Sequence, residues 1–231
     1  MPGRMTTLSN AFRRRFQRMR RRRKVARAYD MALEISRELP RYANVLDVGC
    51  GNGFIVHHLT ALLKATVVGL DVGTETSARI NYLPYDGRHF PLPDQSFDAV
   101  LLCYVLHHAQ DPGLVLNEVA RVLRNGGLAI VYEDIPSLWW DRTICWLHNQ
   151  QWRHRTGPCS FRLDHDWRRI FANAGFELVK ERTLSRWRNA AHPVERRFYV
   201  VRLNDLKEPS RYAHHPETLT VGIHTEVSLS T

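Results

Sequence analysis

An α/β fold, with a mostly parallel sheet covered by helices on both faces, is what this sequence predicts, and three observations carry the prediction. A short apolar strand over residues 44–48 runs into a glycine turn at 49–53 and then into an apolar-patterned helix at 55–63. Further strand-like runs at 66–70, 97–103 and 128–132 alternate with a second helical pattern at 114–123. Strands alternating with helices imply crossover connections, which set consecutive strands parallel and lay the helices on the sheet faces. A chain of 231 residues is long enough for one well-buried domain of this kind with appendages, and too short for two.

Taken in order, the chain opens on a basic arm. Residues 1–24 hold nine arginines and Lys24 with no acid, which accounts for the whole net charge of +10. The remaining body is therefore neutral, which weakens any case that it tracks a nucleic-acid backbone. Leu8, Phe12, Phe16 and Met19 recur at helical spacing among the arginines, so the arm, if it folds, sets an apolar stripe beside a basic face. Four readings stay open for it: a solvated disordered arm, an amphipathic helix on anionic membrane, a transit peptide, or a nucleic-acid contact, the last ranked lower. A second helix is expected over 25–39, stopping before Pro40.

Between the second strand and residue 90 lies an irregular stretch, 72–90, with Gly73, Pro84 and Gly87 and little periodicity, so no full helix is expected there. An Asn125-Gly126-Gly127 turn separates the 114–123 helix from the strand at 128–132. An aromatic segment over 136–160 follows, with Trp139, Trp140, Trp146 and Trp152, and then a helix at 167–174 and β-prone stretches at 177–180 and 197–202. The domain is expected to span 25–205, with a flexible tail over 206–231.

Composition sets further bounds. No apolar run approaches the ~18 residues of a membrane-crossing helix, and no apolar signal core opens the chain, so a cytoplasmic location, peripheral to a membrane surface if the arm binds one, is expected. The cysteines Cys50, Cys103, Cys145 and Cys159 lack C-x-x-C spacing and are expected as free thiols. His148, His154, Cys159 and His165 fit no standard ligand spacing, and no metal is expected.

A strand running straight into a glycine turn and a helix gathers backbone N–H groups and the positive end of a helix dipole where a ligand can approach closely. Dinucleotide sites prefer G-x-G-x-x-G; here Gly49, Gly51 and Gly53 give G-x-G-x-G and Phe54 interrupts the fingerprint, so an NAD-linked oxidoreductase ranks last. Asp71 ends the second strand 20 residues beyond Gly51, where a carboxylate can accept from both ribose hydroxyls. A glycine turn and one acid are weak evidence by themselves, since both occur as plain turns and caps.

The ordered series is stronger. Val45-Leu46-Asp47-Val48-Gly49-Cys50-Gly51-Asn52-Gly53, Gly69-Leu70-Asp71, Asp86-Gly87 with 92–100, Val105-Leu106-His107-His108 and Arg121-Val122-Leu123-Arg124-Asn125-Gly126-Gly127 occur in sequence. Together they resemble the class I S-adenosylmethionine-dependent methyltransferases, in particular the type 11 branch with the ubiquinone and menaquinone methyltransferases, over residues 44 to about 180. The resemblance implies a Rossmann-like, mostly parallel seven-stranded sheet and S-adenosyl-L-methionine as cofactor. It implies that Asp47 and the turn Gly49, Cys50, Gly51, Asn52 and Gly53 face the methionine part, Asp71 with Val72 the ribose, Asp86 with Gly87 the adenine, and that Cys103 or Tyr104 borders the sulfonium. The sequence departs from the family in the short link between Asp71 and Asp86 and in Tyr104, where relatives often carry a small or acidic residue.

Transfer from a sulfonium is an in-line displacement on an activated carbon, so positioning supplies much of the acceleration. Where the acceptor must lose a proton, His107 or His108 at the sheet rim is the expected catalytic group, with capping of the strand as the bland alternative. Glu133 with Asp134 after it, and Trp139 and Trp140 of the aromatic segment, are the candidates for holding a small-molecule acceptor of lipophilic or aromatic character, against simple capping and packing. An RNA or protein methyltransferase using the arm, and a cofactor-binding protein without catalysis, are the competing classes.

Overall fold

The computed structural model describes residues 3–204, apart from the side chains of residues 3–12 and of 155 and 156. The tail expected over 206–231 lies outside the described residues, as do the side chains of Leu8 and Phe12.

Seven strands form one sheet: β1 (Asn44–Val48), β2 (Thr66–Asp71), β3 (Asn81–Pro84), β4 (Phe97–Cys103), β5 (Leu123–Ile135), β6 (Phe176–Leu184) and β7 (Glu195–Leu203), in the order β3-β2-β1-β4-β5-β7-β6. The first five strands run parallel, and β7 lies antiparallel between β5 and β6. The helices are α1 (Gly3–Ser36), α2 (Phe54–Leu63), α3 (Pro112–Val122), α4 (Trp139–Thr156) and α5 (Asp164–Asn173), with short 3-10 turns at Leu106–His108 and Arg186–Asn189.

Alternate residues of one strand point to opposite faces, and the core divides accordingly. Leu46, Val100 and Leu102 pack with Leu116 and Val119 of α3 and Trp167 and Phe171 of α5. Val45, Ala99 and Leu101 pack on the other face with Ala32 and Ile35 of α1 and Val56 and Leu59 of α2. Burial on both faces is why β1 and β4 read as nearly continuous apolar runs.

Three expectations change. The arm and the second helix are one helix: α1 continues across residue 24, and residues 13–24 are exposed, Phe16 and Met19 of the expected apolar stripe at 47% and 40%. The irregular stretch 72–90 has no helix, as expected, but it contains β3, a short edge strand paired with β2. The Asn125-Gly126-Gly127 turn lies inside β5, where the register on β4 jumps from Phe97↔Leu123 to Ala99↔Leu128. Gly126 takes φ +72° there, so the extra residues loop out as a bulge and the strand resumes.

Candidate functional site

The strand order reverses between β1 and β4, and at such a switch point the loops leaving the carboxyl ends splay apart and open a crevice. The residues expected at the cofactor lie near the carboxyl ends of β1, β2 and β4, as Asp47, Asp71 and Cys103 do, or just beyond the ends of β1 to β4. Gly49, Gly51 and Gly53 have φ of +69°, +52° and +72°, a region side chains disfavour. A Cβ on Gly49 would come within 2.3 Å of Val105 Cγ2, and one on Gly53 within 2.7 Å of Ile80 Cδ1, whereas one on Gly51 would meet nothing within 4 Å. Two glycines thus serve packing, and the third faces open space.

Asp71 holds this turn: its carboxylate accepts from Gly51 N at 2.7 Å and Gly73 N at 3.0 Å. Asp47, at the end of β1, is buried at 1% exposure, and neither carboxylate oxygen has a hydrogen-bond partner among the described residues. Burial, reinforced by the Asp71 carboxylate, pushes its pKa up to about 8. Val72 and Gly87 adjoin each other, a Cβ on Gly87 lying 3.3 Å from Val72 Cγ1. Asp86 is exposed and caps the next turn through Arg88 N and His89 N at 2.8 and 2.9 Å, bonds that hold its carboxyl below the usual range. The link from Asp71 to Asp86, short in the sequence, is thus spanned by β3 and two turns. Burial raises the Cys50 and Cys103 thiols, so both stay protonated. Tyr104 takes φ +61° at the end of β4, a conformation that costs a non-glycine residue energy and that is found chiefly at constrained sites.

Beyond β4 the chain enters the 3-10 turn. Glu133, fully buried on β5, accepts from Leu106 N at 2.8 Å through one oxygen and meets His107 Nδ1 at 2.6 Å through the other. Both oxygens are thus engaged, and Glu133 reaches an acceptor only through His107. Asp134 turns to Arg196 and His192, each at 3.0 Å. Burial opposes a charge on His107, but the Glu133 carboxylate outweighs it and leaves the pKa raised. Burial and the rings of His107 and His148 push His108 down to about 3, and burial with His107 and His192 pushes His148 down to about 4.

The aromatic segment over 136–160 consists mainly of α4 and the loop after it. Asp141 anchors its start, accepting from Leu138 N at 3.1 Å and from Arg186 at 3.0 Å. The loop is pinned to the 3-10 turn by Ser160 N donating to His107 O at 2.7 Å, and Phe161 stacks on the His107 ring at 4.6 Å. Between α4 and this loop lies a cavity of about 420 Å³, bordered by Arg142, Trp146, Asn149, Cys159, Phe161 and Arg162 among others. Trp139 and Trp140 do not line it; they are 74% and 42% exposed at the start of α4. Neither shows in the sequence as different from Trp146, because helical spacing alone does not say which turn faces inward. Sequence reasoning also missed Arg142 and Arg162, and in a chain this rich in arginine no local signal marks them.

Residues 46–131 match the family model described as methyltransferase domain. This segment resembles a class I methyltransferase domain. Around it, the chain is 34% identical over 115 residues to a fatty-acid O-methyltransferase of Mycolicibacterium smegmatis, covering 43% of this chain and 41% of that protein. It is 33% identical over 96 residues to 27-O-demethylrifamycin SV methyltransferase of Amycolatopsis mediterranei, covering 36% and 35%. It is 31% identical over 163 residues to sterol 24-C-methyltransferase of Aspergillus fumigatus, covering 61% and 41%. The match spans less than half the length of each relative. Among solved structures, the [4+2]-cyclase SpnF aligns with a TM-score of 0.61 at 18% identity over 77% of this chain and 80% of that one. A methyltransferase-family structure from Bacillus halodurans aligns at 0.59 and 18%, over 76% and 98%. These two likenesses concern the fold.

S-adenosylmethionine is the methyl donor of this family, and the methyltransferase domain meets a simple test of fit. A buried carboxylate with no partner at the mouth of a glycine turn calls for a cation, and the donor carries a sulfonium and an ammonium. Open space in front of Gly51 gives it room. Arg20, Arg21 and Lys24 of α1 border Asn52, Phe54 and Ser77 around a crevice of about 220 Å³, so the basic arm reaches the glycine turn after β1.

Proposed function

We propose that this protein transfers the methyl group of S-adenosylmethionine to a small lipophilic or aromatic acceptor held between α4 and the carboxyl end of the sheet. The observation that carries the reading is the orphaned Asp47 beside the open face of Gly51. Asp47 and the turn 49–53 would hold the methionine part, Asp71 and Val72 the ribose, and Asp86 and Gly87 the adenine, with Cys103 and Tyr104 beside the sulfonium. The donor, when bound, supplies a methyl group on positively charged sulfur to a nucleophile in line with it. The chain's part is to orient the acceptor, exclude water, and take a proton where one must leave.

His107 and His108 are the proposed proton-handling groups. The Glu133 carboxylate fixes the proton of His107 on Nδ1, which leaves Nε2 to accept. The cavity beside the histidines combines apolar walls with Arg142 and Arg162, which suits an acceptor carrying an acidic group on an apolar body. The relatives named for a fatty acid, a rifamycin and a sterol support a lipophilic acceptor. Trp139 and Trp140 would touch only a part of the acceptor that projects beyond the cavity. Residues 1–24 are proposed to rest on anionic membrane, which would bring such acceptors close.

Calorimetric titration with S-adenosylmethionine, its demethylated product and NAD tests the cofactor. Binding of the first two, abolished by Asp71→Ala, is expected; binding of NAD alone would overturn the reading. Labelled-methyl transfer into a lipid extract and into RNA then tests the acceptor. Label in RNA only would favour the arm as a nucleic-acid contact.

A further inference from the structure

The histidines at the acceptor side are more numerous and closer together than proton transfer requires. His107 and His108 of the 3-10 turn meet His148 of α4, and one ring nitrogen from each lies within 4.8 Å of the others. His108 Nε2 and His148 Nε2 are 3.5 Å apart, close to the separation of about 3.3 Å that two ligands at about 2.05 Å from a tetrahedral zinc ion require.

The surroundings match those of metal-bound imidazoles. A ligating histidine commonly gives its other ring nitrogen to a carboxylate, which fixes the tautomer and the ring plane. His107 does so: Nδ1 meets Glu133 at 2.6 Å, and Glu133 is itself held by Leu106 N at 2.8 Å. The remaining nitrogen, Nε2, is buried without a hydrogen-bond partner in a side chain 1% exposed. His108 turns Nδ1 towards Cys159 Sγ at 3.3 Å, which directs Nε2 at His148. The His148 ring neighbours the His192 ring, their centroids 5.2 Å apart, and His192 pairs with Asp134 at 3.0 Å.

We propose that His107, His108 and His148 form a three-histidine site for one divalent transition-metal ion of the zinc class. Imidazole nitrogen suits such ions, and three protein ligands leave a fourth position open, as in zinc sites that also take an exogenous oxygen. Cys159, which approaches His108, also borders the 420 Å³ cavity, so the open position belongs to the acceptor side. The ion would occupy the nitrogen of His107 that otherwise accepts a proton. An oxygen of the acceptor bound to it would lose its proton to solvent water more readily, as oxygen ligands of zinc do, with no histidine needed as base. The four residues considered from sequence spacing contribute only His148 to this set and Cys159 to its edge; His154 and His165 are exposed elsewhere.

The test uses the untagged full chain, stripped with a chelator and titrated with Zn²⁺ by calorimetry and with Co²⁺ by visible absorption. One ion per chain is expected, with the absorption bands of four- or five-coordinate cobalt. His148→Ala should weaken binding by more than roughly 100-fold and Glu133→Gln by about 10–100-fold, while the exposed His89→Gln leaves it unchanged. No binding by the parent protein, or binding that survives His148→Ala and His108→Gln, overturns the proposal. S-adenosylmethionine titration on the same samples reports the fold of each variant and reads the proposed activity separately. Nucleotide binding without metal sinks only the metal site, and metal without nucleotide sinks only the methyltransferase reading.

Discussion

Asp47 shows how one side chain can weaken a fold and equip it for binding. Its carboxyl is raised to about 8 from an ordinary value of 3.8, by burial first and Asp71 second. Between those values the unfolded chain has released the proton and the folded one still holds it, so folding stability falls as pH rises through that window. Asp47→Asn should flatten this decline in urea unfolding of the ligand-free protein, and should weaken S-adenosylmethionine binding at pH 8, where the parent carboxylate is half charged. A parent protein with a flat profile over pH 4–8 would contradict this. The glycines offer a second contrast. Gly51→Ala places a methyl group in open space at φ +52° and should cost about 1–2 kcal/mol of stability, yet obstruct the cofactor. Gly49→Ala drives a Cβ into Val105 and should cost more stability, so unfolding and binding measurements on the pair should rank them in opposite orders relative to that cost.

At the scale of elements, one acid adds polar ties to the apolar packing of α1 on the sheet. Glu34 accepts from Tyr132 Oη on β5 at 2.8 Å, from Arg182 on β6 at 2.6 Å and from Arg188 at 3.0 Å, joining the helix to three other parts of the chain. Glu34→Gln should destabilise the protein by roughly 1–3 kcal/mol, read as a lower urea midpoint with unchanged slope. The elements also differ in how plainly the sequence announces them. β1, β2 and β4 are legible because each is an apolar run, the first closed by Gly49 and the second by Asp71. β3 is not: Asn81-Tyr82-Leu83-Pro84 sits at the sheet edge, its two central residues only half-buried, so no apolar run marks it. The bulge at Asn125-Gly126-Gly127 reads as a turn because its glycines are turn residues, and only pairing with β4 reveals that the strand continues. The proposed cofactor residues can be picked out in the sequence because they fall in short motifs along the chain. The histidine cluster cannot be, because two adjacent residues and one 40 positions away meet only after α4 folds back over the sheet.

Across the whole molecule, charge is distributed as unevenly as apolar surface is evenly buried. The excess of +10 resides in residues 1–24, of which 13–24 are exposed. Deleting 1–24 should abolish co-sedimentation with anionic vesicles, and the parent protein should lose binding between 0.05 and 0.5 M salt, estimates that follow from screening lengths falling from roughly 14 to 4 Å. Equal binding by the truncated protein would assign any membrane contact to another surface, of which the exposed Trp139, Trp140 and Trp146 are the first to examine. Among the described residues, no helix is long and apolar enough to cross a bilayer.

The position of β7 bears on how the chain can be made. It follows β6 in sequence but lies inside it in space, hydrogen-bonded to β5 on one side and β6 on the other. During synthesis, β5 must therefore wait with an unpaired rim until residues 195–203 have left the ribosome, and such a rim recruits other chains. Products interrupted before that point should accumulate as aggregates, and the yield of intact protein should respond to chaperone supply more than to codon changes upstream.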